Sequence, residues 1–148
     1  MFARHFSPLA LGVCLALALA ACSVEPDPNR QSGGDQSRTQ AIEMPVNRVI
    51  IDHCDQVNGD RDDWKYITVN SPGIAKVTVN FDYIEAEAQV EVINSVGQVL
   101  SNLELPESTD ILRQLSFEVQ PGNYYLHIYC QTLETDYSVE IRVDELEF

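Results

Sequence analysis

The sequence predicts an all-β fold, an antiparallel β-sandwich of about eight strands that begins near Val46. Apolar and polar residues alternate with a period of two in short segments. These segments recur at intervals of roughly ten residues and are separated by turn residues. No stretch shows the apolar stripe of a helix, and only residues 106–114 are compatible with a helical turn. About a hundred residues of this pattern can bury a normal sandwich core.

The first half of the pattern contains four predicted strands. Residues 49–52 form a compact β-branched run, and residues 64–69 end at the turn signal Asn-Ser-Pro-Gly over 70–73. The clearest alternation in the chain spans residues 75–81, where alanine, valine and phenylalanine side chains share one face. Val90 and Val92 continue the pattern and indicate the fourth strand.

The second half predicts four more strands. A turn over residues 94–97 leads into residues 99–105, and residues 115–119 lead into the turn Pro-Gly-Asn at 121–123. Residues 124–130 and 137–143 then alternate strictly. Acidic residues follow the last strand, which favours an edge position because edge charges oppose unwanted pairing.

The amino-terminal residues predict export. Arg4 precedes an apolar run over residues 9–21, which is shorter than the about 20 residues that span a bilayer and has the layout of a secretory signal. The sequence Leu19-Ala20-Ala21-Cys22 resembles the lipobox of bacterial lipoproteins. This resemblance implies that the signal peptide, residues 1–21, is removed and that Cys22 receives diacylglycerol and a further acyl chain such as palmitate. A plain secretory signal with an incidental cysteine is the alternative.

Several acyl chains on one cysteine anchor a protein stably, whereas a single chain binds membranes reversibly. Ser23, in place of an aspartate, favours the outer membrane under the lipoprotein sorting rule that the resemblance brings with it. Residues 22–45 are rich in proline, glycine and polar residues and predict a lipidated, disordered tether. Residues 46–148 are then the folded domain.

Charge limits the class of partner. The chain has 9 basic and 23 acidic residues and a net charge of −14. Removal of residues 1–21 takes away Arg4 alone among them, which leaves a net charge of −15. Such a surface repels nucleic acid and anionic lipid headgroups. It is compatible with divalent cations, with a basic partner surface or simply with solubility.

Two cysteines remain after removal of the signal and lipidation, Cys54 and Cys130. Exported proteins reach an oxidising compartment, which favours a disulfide between them. Two separate buried cysteines that pack as small apolar residues are the alternative. Neither has the spacing of a redox CxxC motif or a zinc site.

Three segments resemble the bacterial pre-peptidase C-terminal domain: Asp-Trp-Lys-Tyr-Ile-Thr-Val at 63–69, Gln-Pro-Gly-Asn-Tyr-Tyr-Leu-His-Ile at 120–128, and Tyr-Ser-Val-Glu-Ile at 137–141. The resemblance covers residues 55–145 and implies a β-sandwich. Such domains accompany secreted proteases and other exported enzymes, where they are thought to aid secretion, targeting or substrate binding. We expect this domain to stand without a catalytic domain on its lipid anchor.

An acidic loop over residues 55–63 is a candidate calcium site with Asp60, Asp62 and Asp63 as ligands. Calcium takes six to eight oxygen ligands, which closely spaced aspartates on a glycine-containing loop can supply. The resemblance adds that some collagen-binding relatives bind calcium near the start of the sandwich. However, the loop lacks the bidentate glutamate of an EF-hand, and a solvated turn that caps strands is the favoured interpretation.

Aromatic residues form the other candidate site. Tyr125, His127 and Tyr129 lie opposite the aliphatic face of their strand and are therefore candidates for binding a sugar or a peptide. Cross-strand packing of aromatic side chains is the alternative. His53 and His127 belong to neither a Ser-His-Asp nor an HExxH pattern, so no enzyme is predicted.

The sequence thus predicts an outer-membrane lipoprotein of the cell envelope, on the periplasmic or the outer side, whose sandwich is a non-catalytic binding or adaptor domain for a protein, peptide or glycan. The alternative is a pilotin-like assembly factor of an envelope secretion or motility machine. Strand edges or acidic faces would serve such a role. An enzyme is a third hypothesis, and it requires that His127→Ala abolishes activity without unfolding.

Overall fold

The computed structural model describes residues 30–31, 34–57, 59–83, 85–105, 113–131 and 134–145. They form ten strands and a short 3₁₀ turn, Arg38–Gln40. In chain order the strands are β1 Arg30–Gln31, β2 Ile42–Glu43, β3 Val49–Asp55, β4 Asp62–Val69, β5 Gly73–Phe81, β6 Ala88–Asn94, β7 Val99–Leu105, β8 Arg113–Val119, β9 Gly122–Cys130 and β10 Glu134–Glu145.

The strands form two five-stranded sheets that face each other. Sheet A has the order β1-β3-β10-β5-β8, and sheet B has the order β2-β4-β9-β6-β7. The two-residue strands β1 and β2 pair in parallel with β3 and β4, and the remaining pairs are antiparallel. The predicted antiparallel sandwich is therefore confirmed, and each of the eight predicted strands lies in an observed one.

The last strand corrects one expectation. β10 lies inside sheet A between β3 and β5, not at an edge. Residues 134–140 pair with β3 and residues 137–145 pair with β5, so both edges of β10 are occupied, and Tyr137, Val139 and Ile141 are buried between the sheets. The approach of β5 is close at Gly73, where a Cβ atom would lie 2.5 Å from the carbonyl oxygen of Asp144. Only glycine fits there without a backbone shift.

Buried and exposed side chains alternate along the strands as the sequence predicts. One face of most long strands is buried between the sheets, whereas β7 buries only Leu105, and the core consists mainly of valine, isoleucine and leucine side chains. On β9, Leu126, Ile128 and Cys130 are buried, while Tyr125, His127 and Tyr129 are half-buried on the outer side.

The predicted disulfide is present. Cys54 on β3 and Cys130 on β9 are bonded, 76 residues apart in sequence. Both cysteines are fully buried, and the bond joins sheet A to sheet B. In the chain-entropy model, closing a loop of this length stabilises the fold by about 4 kcal/mol.

The folded region begins earlier than composition predicts. Within residues 22–45, assigned above to the tether, Asp35 is fully buried and Met44 belongs to the core. β2 adds to the edge of β4, and the Met44 amide donates to the Tyr66 carbonyl at 2.9 Å. A polar segment of this kind is held by hydrogen bonds and one buried charge, which composition does not reveal.

Two predictions fall outside the described residues. The signal sequence and Cys22 lie in residues 1–29, and most of the region compatible with a helical turn lies in residues 106–112. The following residues, Arg113–Val119, are β8. Among the described residues, no helix is long and apolar enough to cross a bilayer.

Candidate functional site

The outer side of sheet B carries a row of aromatic side chains. Along β4, Asp63, Lys65 and Ile67 point inward, so that Trp64 and Tyr66 point outward. Antiparallel pairing then sets Trp64 opposite His127 and Tyr66 opposite Tyr125 on β9. Together with Tyr129, these four residues are called the aromatic face below.

Within the aromatic face, the rings contact one another across the strands. Trp64 and His127 are stacked with ring centres 4.2 Å apart and planes inclined by 14°. Tyr66 and Tyr125 are tilted, with centres 6.2 Å apart, and the His127 and Tyr129 rings are 6.4 Å apart. The cross-strand packing considered in the sequence is thus present, and these rings remain half-buried at the surface.

Two arginines cover the tyrosines at either end of this row. The guanidinium of Arg38 lies 4.3 Å from the ring centre of Tyr125 and that of Arg61 lies 5.7 Å from the ring centre of Tyr129. Arg38 also donates to the Asn94 carbonyl at 3.0 Å, which ties the 3₁₀ turn to the β6–β7 hairpin. A segment assigned to the tether therefore forms part of the site.

The centre of the aromatic face is acidic. His127 Nε2 lies 2.9 Å from Asp62 Oδ1, and His127 Nδ1 lies 3.6 Å from Glu91 Oε2. Asp62 precedes Trp64 on the outer side of β4, and Glu91 pairs with His127 from β6. The imidazole is therefore fixed by a ring on one face and by carboxylates at its edge.

A shallow cleft of about 570 Å³ opens beside Tyr125. It is lined by Tyr66 and Tyr125 of the aromatic face and by five further residues: Arg38, Thr39, Ala41, Ser95 and Asn123. The Tyr66 hydroxyl donates to Glu43 at 3.3 Å. Burial and the neighbouring Glu43 carboxylate raise the pKa of Tyr66.

Directly behind the aromatic face lies a buried ionic cluster, formed by Lys65, Asp35 and Asp52. The Lys65 ammonium is ion-paired with both carboxylates, and all three side chains are fully buried. Burial raises the pKa of Asp52, although Lys65 opposes this. Burial lowers the pKa of Lys65, but its hydrogen bonds to both aspartates outweigh this and raise it. The ion pair holds the Asp35 side chain in place, and the Asp35 backbone carbonyl accepts a hydrogen bond from the Trp64 amide at 2.9 Å.

Asp63 and Tyr137 extend this polar interior. The Tyr137 hydroxyl donates to Asp63 at 2.6 Å, and both side chains are buried. Burial raises the pKa of Asp63 to about 7 and that of Tyr137 well above 10. The second oxygen of Asp63 is buried without a hydrogen-bond partner, which adds to the cost of its ionised form.

The three aspartates of the candidate calcium site point in different directions. Asp62 and Asp63 are successive residues of β4, so Asp62 faces His127 outside the sandwich while Asp63 faces Tyr137 inside it. Asp60 lies in the preceding loop, where it pairs with Asp55 through the backbone. Among the described residues, no three side chains of His, Cys, Asp or Glu are arranged to hold a metal ion.

His53 lies on the opposite sheet. Its Nδ1 is 2.7 Å from Asp136 Oδ1, beside a small cleft of about 400 Å³. The hydrogen bonds that join His53 and His127 to other described side chains lead to carboxylates, not to a hydroxyl or thiol nucleophile.

Sequence reasoning identified the outward aromatic residues from the period of β9 but missed Arg38 and Asp35. Both lie in a polar stretch without periodicity, so no local signal marks them. Lys65 was also missed, because an isolated lysine within an alternating strand gives no sign of two buried partners.

No protein-family model matches the chain, and no curated protein matches its sequence. Solved structures do resemble it. The pre-peptidase C-terminal domain of a collagenase from Bacillus anthracis is 17% identical and has a TM-score of 0.58, with 68% of this chain and 93% of that chain covered. This likeness shows a shared fold, and the chain forms a sandwich like that of the pre-peptidase C-terminal domain.

Two other solved structures match more weakly. The periplasmic inhibitor PliG of g-type lysozyme from Aeromonas hydrophila is 11% identical, with 76% of this chain and 98% of that chain covered and a TM-score of 0.41. A family 6 carbohydrate-binding module is 12% identical, with coverages of 80% and 100% and a TM-score of 0.35. Scores this low carry no argument about function.

Proposed function

We propose that this chain is a lipid-anchored protein of the bacterial cell envelope, held at Cys22, whose sandwich is a non-catalytic module that binds a protein with a basic surface. The lipobox-like sequence supports the anchor, and Ser23 supports the outer membrane. The aromatic face supports the binding role. It is the observation that carries the proposal.

Residue types at the aromatic face are those of protein interfaces. Tryptophan, tyrosine and arginine are enriched among the residues that dominate binding energy, and they act from well-packed surroundings. Here Trp64, Tyr66 and Tyr125 are half-buried and packed, with Arg38 stacked on the last of them. Their rotamers are therefore restricted before any partner arrives, which lowers the entropic cost of binding.

Ring orientation favours a protein over a glycan. A sugar stacks on an aromatic ring whose face is open to solvent. In this site, His127 covers one face of Trp64, and Arg38 and Arg61 lie over the rings of Tyr125 and Tyr129. The half-buried rings thus offer edges and mixed polar contacts, which suit side chains of a protein partner better than a sugar ring.

Charge indicates the character of that partner. Three carboxylates border the aromatic face (Asp62, Glu91 and Glu43) against two guanidiniums (Arg38 and Arg61), and the chain as a whole carries a net charge of −14. Complementary charge accelerates encounter and excludes like-charged partners. A basic protein surface is therefore the complement of this site.

In-cell crosslinking of the full-length chain, followed by mass spectrometry, tests the proposal. We expect one dominant, basic envelope protein, whose capture falls when salt is raised before crosslinking. If this protein is a component of a secretion or motility machine, and deletion of the chain mislocalises it, the assembly-factor alternative is supported. Capture of cell-wall or surface glycan without a dominant protein would refute the proposed partner class.

A further inference from the structure

The two lysines of the chain lie in opposite surroundings. Lys76 is exposed and pairs with Asp144 at the surface. The side chain of Lys65 is fully buried and contacts the fully buried carboxyl groups of Asp35 and Asp52. An amine and a carboxyl group that are held in contact and shielded from water are arranged to condense to an amide, so the surroundings of Lys65 are those of a reacting pair.

Apolar side chains enclose this pair. On the inner side of β3, Asp52 lies between Ile50 and Cys54. On β4, Ile67 follows Lys65 on the same side of the strand. These three apolar side chains are fully buried. An ammonium and a carboxylate in such a place have both lost their hydration, which opposes the ion pair and favours a product without charge.

The two aspartates differ in what their second oxygen contacts. Both accept from Lys65 through Oδ2. Asp52 Oδ1 also accepts from the His53 backbone amide at 2.9 Å, whereas Asp35 Oδ1 is buried without a hydrogen-bond partner among the described residues. The backbone donor is placed to stabilise negative charge that develops on Asp52 Oδ1, as the donors of an oxyanion hole do. Asp52 is therefore the electrophile, and Asp35 remains to carry a proton.

We propose that Lys65 and Asp52 condense to an intramolecular amide between Nζ and Cγ, with Asp35 as the catalytic residue. The bond joins β4 of sheet B to β3 of sheet A across the interior. The ion pair of Lys65 with both aspartates is the state that precedes the reaction. The bond forms independently of the anchor at Cys22 and of any partner.

The three protons on Nζ account for the reaction. The first passes to Asp52 Oδ2 and leaves an uncharged amine beside an uncharged carboxylic acid. The amine lone pair then attacks Cγ, and the negative charge of the tetrahedral intermediate lies on Oδ1, against the His53 amide. Asp35 takes the second proton from Nζ and transfers it to Oδ2, which leaves as water. The third proton stays on Nζ as the amide N–H and still faces Asp35, and no oxidant or other reactant is needed.

Burial supports the first proton transfer. It raises the pKa of Asp52, which favours the acid form of this carboxyl group. Burial lowers the pKa of Lys65, but hydrogen bonds to the two aspartates outweigh this and raise it, which opposes loss of a proton to solvent. Transfer to Asp52 keeps the proton inside the cluster and removes one positive and one negative charge from the interior.

The amide supplements the disulfide. Cys54 lies two residues after Asp52 on β3 and is bonded to Cys130 on β9, so the two bonds tie β3 to β4 and to β9. These two strands of sheet B carry the aromatic face, and Trp64 directly precedes Lys65. The amide therefore keeps the aromatic face attached to sheet A when the disulfide is reduced.

Peptide mapping of the wild-type, full-length chain tests for the bond. The purified protein is denatured, reduced, alkylated and digested with trypsin, so that neither burial nor the disulfide holds peptides together. Trypsin cleaves after arginine and lysine but not after an acylated lysine. We expect residues 49–61 and 62–76 as one branched product, with cleavage after Lys76 as the internal control for the protease.

Tandem mass spectrometry identifies the branch. The product should be lower in mass by one water molecule than the two peptides together, and its fragments should place the bond at Lys65 and Asp52. A linear peptide 49–76 has the same mass, so the fragments must also show two amino termini, Val49 and Asp62.

Cleavage after Lys65, with residues 49–61 and 66–76 recovered as separate linear peptides, would overturn the bond, and this result needs no variant to fold. A branch between residues 62–76 and residues 31–38, which contain Asp35, would overturn Asp52 as the electrophile.

Variants assign the roles. Lys65→Met and Asp52→Ala should abolish the branched product. In pulse-labelled cells, Asp35→Asn should form it about a hundredfold or more slowly than wild type, as loss of general acid–base catalysis does. An unchanged rate in Asp35→Asn would overturn the role of Asp35.

Discussion

Tyr137 on sheet A donates a hydrogen bond of 2.6 Å to Asp63 on sheet B, across the interior of the sandwich. Both side chains are buried, and Asp63 is preceded on its strand by Asp62, which points outward to His127. One dipeptide therefore contributes both to the polar interior and to the aromatic face. Changes in the interior can be measured as stability, and changes in the aromatic face as binding.

Asp63→Asn is expected to reduce the loss of folding stability that occurs as the pH rises from 5 to 8. Burial raises the pKa of Asp63 from 3.8 to about 7, so between these values the folded chain holds a proton that the unfolded chain has released. Stability therefore falls as pH rises through this window, by about 3 kcal/mol between pH 5 and pH 8. Urea unfolding at both pH values should show a smaller fall for Asp63→Asn than for wild type, and equal falls would contradict the assignment.

Lys65→Met is expected to destabilise the fold by about 3–5 kcal/mol, because it leaves Asp35 and Asp52 buried without a cation. Lys76→Met is the matched control, since Lys76 pairs with Asp144 at an exposed site, where such pairs contribute at most about 1 kcal/mol. Chemical denaturation measures both. Similar losses in the two variants would show that the ionic cluster does not hold the amino-terminal segment.

Reduction of the Cys54–Cys130 bond is expected to lower the melting temperature, because the bond closes a loop between residues 76 apart. The loss corresponds to about 4 kcal/mol in the chain-entropy model. Thermal melts with and without dithiothreitol measure it. The double variant Cys54→Ala, Cys130→Ala should melt near the reduced wild type and should not respond to the reductant.

Calcium at millimolar concentration is expected to leave the melting temperature unchanged. Asp62 and Asp63 point to opposite sides of β4, and the cation within the buried cluster is the Lys65 ammonium. A ligand that binds only the folded state raises its stability, so a reproducible rise with calcium that is reversed by chelation would restore the calcium site predicted from the sequence.

Tyr125→Ala is expected to weaken binding to the captured partner at least about tenfold, as loss of a dominant interface residue does. The variant removes the ring that lies under the Arg38 guanidinium and lines the cleft. Gln114→Ala, exposed on the outer side of sheet A, is the control and should bind like wild type. Surface plasmon resonance at two salt concentrations distinguishes the loss of the Tyr125 contact from the screening of long-range charge attraction. Undiminished binding by Tyr125→Ala would show that the binding site does not include the aromatic face.

The sequence by itself determined the sandwich, because the period-two alternation fixes which side of each strand is buried. It identified Leu126, Ile128 and Cys130 as the inner face of β9 and Tyr125, His127 and Tyr129 as the outer one. It also predicted the disulfide, since export and two remaining cysteines favour pairing. These features depend on local pattern or on simple counting, which a sequence displays directly.

Only the tertiary structure decided which distant residues meet. Strand order placed β10 inside its sheet and brought Trp64 against His127, and the amino-terminal segment contributed Asp35 and Arg38 to a domain expected to begin later. It also showed that the side chains of Asp62 and Asp63 point to opposite sides of β4. The physical reason is that sheet pairing and buried ion pairs are non-local: their free energy depends on partners many residues away, so no window of the sequence contains it.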